Sequence, residues 1–448
     1  MKAEEVGNTA TRPDLPVDID LTKYVAGGIV VFDLNKAMQE GISRWDPSSA
    51  MKWSTHLDLT TDAAKLRAYI YASPTVVDLD GDKSLDILVG TSVGFIYALD
   101  KIGETLPGFP VQIGEIQGQL LVEDVTGDAA LDIVAADSNG NVVCFSKTGE
   151  EQWHRRISGF ASQGATAADV NGDGRLDVLV ATTTGHIWAL NGKDGEPLKN
   201  FPIKTGGRII APILPIRLGN LVSKGMQLVV PSFDGRLYIV DGDGTCTSHV
   251  DLGETSYSMA LADDLTGDGK LDVVVSTMAG NVYCFGTNSP FDPLHAWQSQ
   301  SPLQVTSGEW RGVKVHETSR GHRDVIGGSF VVQFSIVDQT KHQTHDNQRY
   351  EVIMSLGGSN KHVLFQKFYS KAGEYTEVVK SPNHRTAGTV VVRLVNEHGQ
   401  IHEDSFALSF NVHFYKMLKW LLVGPFTVMA VVLLSFGSLS DNINPFQG

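Results

Sequence analysis

Four short loops carry the residues of this sequence best suited to chemistry. The first places Asp78, Asp80, Asp82 and Asp86 at positions 1, 3, 5 and 9; the second has Asp124, Thr126, Asp128 and Asp132 there. The third has Asp169, Asn171, Asp173 and Asp177, and the fourth Asp264, Thr266, Asp268 and Asp272. Calcium is a hard cation that takes six to eight oxygens at about 2.3–2.6 Å. Alternate residues of a tight loop turn their oxygens inward, and Gly at position 4 permits the positive φ such a loop needs. The backbone carbonyl at position 7, from Ser84, Ala130, Arg175 and Lys270, is a natural further ligand. An EF-hand would need a bidentate Glu at position 12 and flanking helices. Position 12 is Val89, Ala135, Val180 or Val275, inside an apolar run, so EF-hands are excluded. The competing reading is an ordinary Asx turn, in which the carboxylates only cap backbone N–H groups. Four copies in one phase favour a cation, because such clusters repel one another without it. Gly174 and Gly269 at position 6 make the third and fourth loops read as the best formed, and Ala129 makes the second the weakest. We expect structural Ca²⁺ that pins outer blade turns.

The elements around these loops repeat. A Gly turn, at Gly94, Gly140, Gly185 and Gly280, always follows the first Asp by 16 residues. The loop starts at Asp78, Asp124 and Asp169 lie 46 and 45 residues apart, and the next, at Asp264, lies 95 further on. A degenerate copy is therefore due near Pro215, and the strands Gln227–Val230 and Gly235–Val240 supply it. Its loop, from Arg217 to Lys224, has lost the carboxylates. Four short β-branched strands per period of 40–50 residues is the pattern of a propeller blade, with a stacked solenoid as the alternative. The segments 28–34 and 51–54 resemble the later strands of a blade with no Asp loop before them. The array thus reads as an incomplete propeller over 24–300, five copies and a fragment, with further blades expected upstream. Residues 1–23 read as a disordered segment without a signal peptide.

The loops Asp-x-[Asp/Asn/Thr]-Gly-Asp-x-x-Leu-Asp, each followed by an apolar strand, resemble the FG-GAP repeats of integrin α-subunit propellers. The order of repeat array, sandwich-like region and terminal helix is similar to the C-terminal half of the plant Defective in Exine Formation family. That resemblance, over residues 24–436, implies a membrane-anchored, calcium-binding protein of the secretory route and cell surface, required for primexine and pollen-wall patterning. It also implies ligand roles for Asp78, Asp80, Asp82, Asp86 and their counterparts.

Composition agrees with an all-β, globular, acidic chain. The formal net charge is −15, and Gly numbers 46 of the 448 residues. From Ser301 to His413 there are 12 Lys+Arg and 11 Asp+Glu, so the excess acid lies elsewhere, chiefly with the repeats. Such acidity argues against a nucleic-acid partner, which needs basic stripes. Three cysteines cannot make a disulfide framework. Cys144 and Cys284 occupy near-copies, Asn141–Phe145 and Asn281–Phe285, and read as small core residues of equivalent strands.

From 301 to 414 the repeat gives way to alternating strands such as 329–337, 350–354 and 389–395, which suit an immunoglobulin-like sandwich. Nine of the 14 His lie there: His316, His322, His342, His345, His362, His384, His398, His402 and His413. Their spacing fits no zinc template. They read as solvated loop residues, or as a pH sensor that turns this region basic near pH 5–6 and draws it to acidic polysaccharide. Residues 417–439 read as one transmembrane helix, since 21 uncharged residues separate Lys419 from Asp441. The tail, 440–448, is short. Lys416 and Lys419 on the N-terminal side of the helix would place the propeller in the cytosol. Calcium loops of extracellular type need the high calcium of the exterior or lumen. We favour the outward, type I arrangement in the plasma membrane or secretory pathway.

No nucleophile elbow, zincin helix, P-loop or Rossmann turn is present. His154, Arg155 and Arg156 read as a surface cluster. Metal loops recurring blade after blade suit a scaffold or adhesion protein whose partner is an extracellular or lumenal protein or a cell-wall glycan. A membrane-anchored propeller enzyme, a polysaccharide lyase or quinoprotein-like protein, is the alternative; we expect a binder.

Overall fold

The computed structural model describes residues 27–34, 36, 50–57, 69–219, 225–297, 306–320, 324–340, 350–357, 362–411 and 413–440. The segment 1–23, the tail beyond 440, loop residues 220–224 and His322, His342 and His345 lie outside them. Two compact units form. One is the chain through Gly312 together with 337–349 and 395–402; the other is 313–336, 350–394 and 403–448.

The first unit is a succession of antiparallel sheets, each built from consecutive strands, which are propeller blades. A two-stranded sheet, β1 (Gly28–Phe32) and β2 (Met51–His56), comes first. Four four-stranded blades follow. They are β3 (Thr75–Val77), β4 (Asp86–Gly90), β5 (Phe95–Leu99) and β6 (Val111–Gln112); then β7 (Leu121–Glu123), β8 (Asp132–Ala136), β9 (Asn141–Ser146) and β10 (Glu151–Arg156). Next come β11 (Thr166–Ala168), β12 (Asp177–Ala181), β13 (His186–Asn191) and β14 (Ile203–Lys204), then β15 (Leu214–Ile216), β16 (Gln227–Pro231), β17 (Arg236–Asp241) and β18 (Thr247–Asp251). A three-stranded blade, β19 (Leu261–Asp263), β20 (Lys270–Ser276) and β21 (Val282–Pro290), completes the series.

The second strands of the four-stranded blades are buried on both faces, so they are largely apolar runs rather than alternating. β8 and β16 are buried along their whole length. Between blades the core is continuous: Leu88 and Ile96 of one blade cluster with Val122, Ile133 and Phe145 of the next. The degenerate copy is an intact blade, with Leu228 and Val230 packed beside Val170 and Ile187.

The first strands of successive blades are neighbours. Thr75 of β3 donates to the Leu120 carbonyl at 2.8 Å, next to β7, and Thr166 of β11 donates to the Ile213 carbonyl at 3.4 Å, next to β15. Two of the last strands, β2 and β10, are fastened to the following blade by a tryptophan. The Trp153 indole donates to the Gly192 carbonyl at 2.8 Å, and Trp53 of β2 donates likewise to Lys101 at 2.7 Å. A Cβ on Gly195, φ +68°, would lie 2.5 Å from the Trp153 ring. The match between Trp53 and Trp153 assigns β1 and β2 to the outer half of a blade, as the sequence pattern implies.

Cys144 and Cys284 part company. Cys144 is buried between strands, whereas Cys284 is exposed because β21 is the edge of a three-stranded blade, with no fourth strand beside it among the described residues. Equivalent sequence therefore does not mean equivalent burial.

The second unit is a β-sandwich. One sheet holds β22 (Arg311–Val315), β24 (Ser329–Asp338) and β27 (Gly373–Lys380). The other holds β23 (Asp324–Val325), β29 (Ile401–Phe410), β28 (Thr386–Val395), β25 (Tyr350–Leu356) and β26 (Val363–Tyr369). Alternating inward residues, among them Val332, Phe334, Val352, Met354, Val392 and Phe410, fill its core. The last element, α1 (His413–Ser440), has Pro425 inside it. Its stretch Leu418–Ser435 is long and apolar enough to cross a membrane and is exposed along its length.

Candidate metal centre

Each aspartate loop joins the first strand of a blade to the second. The strand register is the same everywhere: the residue before position 1 pairs with position 9. The pairs are Val77 with Asp86, Glu123 with Asp132, Ala168 with Asp177 and Asp263 with Asp272. The loops leave strands that lie side by side, so they belong to the inner hairpins. They do not pin outer blade turns, as the sequence had led us to expect; the four-strand period does not say which hairpin faces the axis.

Backbone hydrogen bonds give every loop one shape. The position-1 carboxylate accepts from the N–H groups of positions 4 and 6: Gly81 and Lys83 on Asp78, Gly127 and Ala129 on Asp124, Gly172 and Gly174 on Asp169, Gly267 and Gly269 on Asp264, all at 2.7–3.0 Å. The position-9 carboxylate accepts from the start of the loop, as Asp86 does from Leu79, Asp132 from Val125 and Thr126, Asp177 from Val170, and Asp272 from Leu265 and Thr266. The Thr126 hydroxyl also donates to Asp132, at 2.8 Å. At position 7, Ser84, Ala130 and Lys270 donate N–H to the position-5 carboxylates of Asp82, Asp128 and Asp268. Asn171 and Asp173 bond each other's ends in the third loop. Position 6 is left-handed in all four, at Lys83 (φ 69°), Ala129 (φ 71°), Gly174 (φ 74°) and Gly269 (φ 77°). Glycine there is convenient, not necessary. The first two loops are as well formed as the last two.

The first loop gathers the most charge. Oxygens of Asp78, Asp80 and Asp86 lie within 4.8 Å of one another. Asp82 stands outside that set, 4.0 Å from Lys101.

Electrostatics test whether these residues fit a cation. Burial, followed by the neighbouring carboxylates, raises Asp86 to about 6, against the pull of its bond from Leu79. Burial likewise raises Asp132 to about 6 and pushes Asp124 and Asp169 upward. The extreme is Asp177, fully buried at the head of β12. Burial, then Asp173 and Asp169, lifts it to about 8. Its Oδ1 is buried without a hydrogen-bond partner. A buried anionic oxygen with no donor costs several kcal/mol unless a cation or a proton meets it. The donor set is all oxygen, hard and multidentate, which suits Ca²⁺ better than a transition metal.

The fourth blade shows how the fold dispenses with this. Its register pairs Ile216 with Gln227, so Arg217 stands where the other loops have the first Asp and Gln227 where they have the ninth. Gln227 still accepts from the Leu218 N–H at 2.7 Å, keeping the loop closure without charge. Arg217 pairs with Glu309 at 2.8 Å, and Glu309 also meets His295 at 2.6 Å. Although burial opposes its charge, these two partners hold Glu309 down at about 2.

Around the second and third loops lies a small cavity lined by Asp124, Thr126, Gly174, Arg175, Trp310 and Thr340. Sequence reasoning had no signal for the residues that reach this level from far along the chain. Glu123, just before Asp124, accepts from Thr306, Arg311 and Gln400. His402 is no solvated histidine: its Nε2 is buried, and burial followed by the Arg311 charge lowers it to about 3. It stays neutral across pH 5–6, which removes it from any pH sensor there. His362 and His384 are exposed.

Residues 312–411 match the family described as DEX1 beta-sandwich, and residues 132–213 match the lambda-carrageenase beta-propeller domain. No curated protein matches the chain. Among solved structures, BBS1N in complex with ARL6DN, soaked with lead, is 14% identical at TM-score 0.37, covering 53% of this chain and 68% of its own. BamB from Moraxella catarrhalis is 12% identical at TM-score 0.30, covering 76% and 98%. Saccharomyces cerevisiae Sqt1 is 11% identical at TM-score 0.36, covering 55% and 65%. The sandwich is thus similar to the DEX1 beta-sandwich family, and part of the blade array to a described propeller family.

Proposed function

We propose that the chain is a membrane-anchored calcium-binding propeller, of FG-GAP type, that acts as a scaffold or adhesion protein. The observation that carries the calcium reading is Asp177: a buried carboxylate whose Oδ1 has no partner, set among Asp169, Asn171 and Asp173. Asp78, Asp124, Asp169 and Asp264, with the oxygens at positions 3, 5 and 9 and the carbonyls of Ser84, Ala130, Arg175 and Lys270, would hold one Ca²⁺ per loop. Bound there, the ion neutralises the carboxylates and fixes the inner hairpin of its blade. Recurrence over four loops favours a scaffold over a catalytic centre. The test is thermal unfolding of the detergent-solubilised protein: millimolar Ca²⁺ raises the transition and equal Mg²⁺ does much less, whereas equal response to both ions, or to neither, defeats the reading.

The apolar α1 supports a single-pass anchor, with the propeller on the calcium-rich extracellular or lumenal side. Protease protection of an N-terminal tag in sealed vesicles reads this directly; a tag digested from the cytosolic side overturns it. The DEX1 beta-sandwich match supports a role in primexine and exine formation, with a wall glycan or surface protein as partner.

A further inference from the structure

The turn between β28 and β29 meets the first aspartate loop and the strand that leads into the second. Residues 395–402 belong to the propeller's compact unit. Asn396 shapes the turn, its side-chain oxygen accepting from the N–H groups of His398 (3.1 Å) and Gln400 (2.9 Å). The Asp78 N–H donates to the His398 carbonyl at 2.9 Å, and the His398 ring nitrogen Nδ1 lies 3.2 Å from the Asp78 carbonyl oxygen. Both backbone groups of the first ligand are therefore held by one residue. Gly399 (φ +72°) sits so close to Leu85 that a Cβ would lie 2.4 Å from its Cδ2. Gln400 reaches the end of β7: its Nε2 donates to the Val122 carbonyl (3.3 Å) and to Glu123 Oε1 (3.0 Å), directly ahead of Asp124. Its Oε1 accepts from Arg311 and Asn396, each at 2.7 Å.

We propose that the turn 395–402 is a calcium-dependent clamp, held on the first loop and on β7 when that loop is filled and released when it is empty. It rests on the calcium reading above. In the first loop Asp78, Asp80 and Asp86 crowd their oxygens within 4.8 Å. Losing the ion sets these charges against each other, and the loop relaxes by moving Asp78 or Leu85. Those two residues are the ones that His398 and Gly399 grip. Releasing either end frees Gln400 from Glu123, because five residues of tight turn move together.

Hydrogen–deuterium exchange on the full chain in detergent, in Ca²⁺ and in EGTA, tests the clamp. Calcium should slow exchange in peptides covering 396–401 at least tenfold, in parallel with those covering 79–86. Gly399→Ala, or Gln400→Ala if the first variant folds poorly, should leave 396–401 fast in saturating Ca²⁺ while 79–86 stay protected. Protection of 79–86 by calcium with wild-type 396–401 unchanged overturns the clamp and leaves the calcium reading standing. No calcium effect on either segment overturns both.

Discussion

Replacing Asp177 by Asn should stabilise the calcium-free protein and weaken its response to calcium. The carboxyl lies at the head of β12, fully buried, with Oδ2 on the Val170 N–H and Oδ1 unpartnered. Its folded value, about 8, is raised from the ordinary 3.8. A raised carboxyl makes its full contribution to stability below the unfolded value and loses it as pH rises through the folded value. At pH 7.5 the loss is on the order of 5 kcal/mol relative to a group of the same shape that does not titrate. Asn keeps the shape: its oxygen can accept from Val170, and its NH₂ can face Asp169 and Asp173. Relaxation and water entry reduce the recoverable part, so we expect the calcium-free variant to gain about 1–3 kcal/mol at pH 7.5. With Ca²⁺ the sign reverses, since a charged ligand is gone. The assay is urea denaturation followed by tryptophan fluorescence, in EGTA and in calcium; Trp153 and Trp188 sit in the same cluster as Leu176 and Val178 and report on this blade. The two stability curves should cross. A variant less stable than wild type in EGTA, with an undiminished calcium response, would refute the reasoning.

Two other outcomes follow from the same electrostatics. Because Asp86, Asp132 and Asp177 are raised by burial and by the other carboxylates of their own loops, calcium binding near pH 6.5 should expel protons and strengthen as pH rises toward 8; calorimetry in buffers of different ionisation enthalpy should give apparent heats that differ, and identical heats would count against it. In the fourth blade, Glu309→Gln strips the partner from Arg217 and should destabilise by about 3–5 kcal/mol, measured as a lower denaturation midpoint that calcium does not restore. Glu309 is held low, so this contribution is present above the ordinary carboxylate range and fades only as pH falls toward 2; a variant as stable as wild type at pH 7 would contradict it.

Much of the fold was legible because its signals are local. Strand patterning, glycine turns and the Asp period located every blade, the degenerate one included, and the apolar stretch located α1. The common shape of the aspartate loops was legible too, since the spacing of their carboxylates is written along the chain. What was not legible depends on contacts distant in sequence. That the loops occupy inner hairpins follows from β3 lying beside β7. Arg217 and Gln227 replace the first and ninth aspartates, but only the register of β15 and β16 aligns them, because their loop is longer than the others. The exposure of Cys284 follows from the lack of a fourth strand beside β21 among the described residues, and the neutrality of His402 from burial beside Arg311. No periodicity reports that His398 reaches the first loop some 320 residues earlier, or Gln400 the strand β7 some 280 residues earlier.

Equilibrium dialysis of the solubilised full chain against radioactive calcium at pH 7.5 addresses the central claim most directly. We predict four bound ions per chain, one for each aspartate loop and none for the blade that carries Arg217, filling over roughly 10⁻⁴–10⁻³ M. Retention of no ion at millimolar calcium by the folded protein would contradict the account.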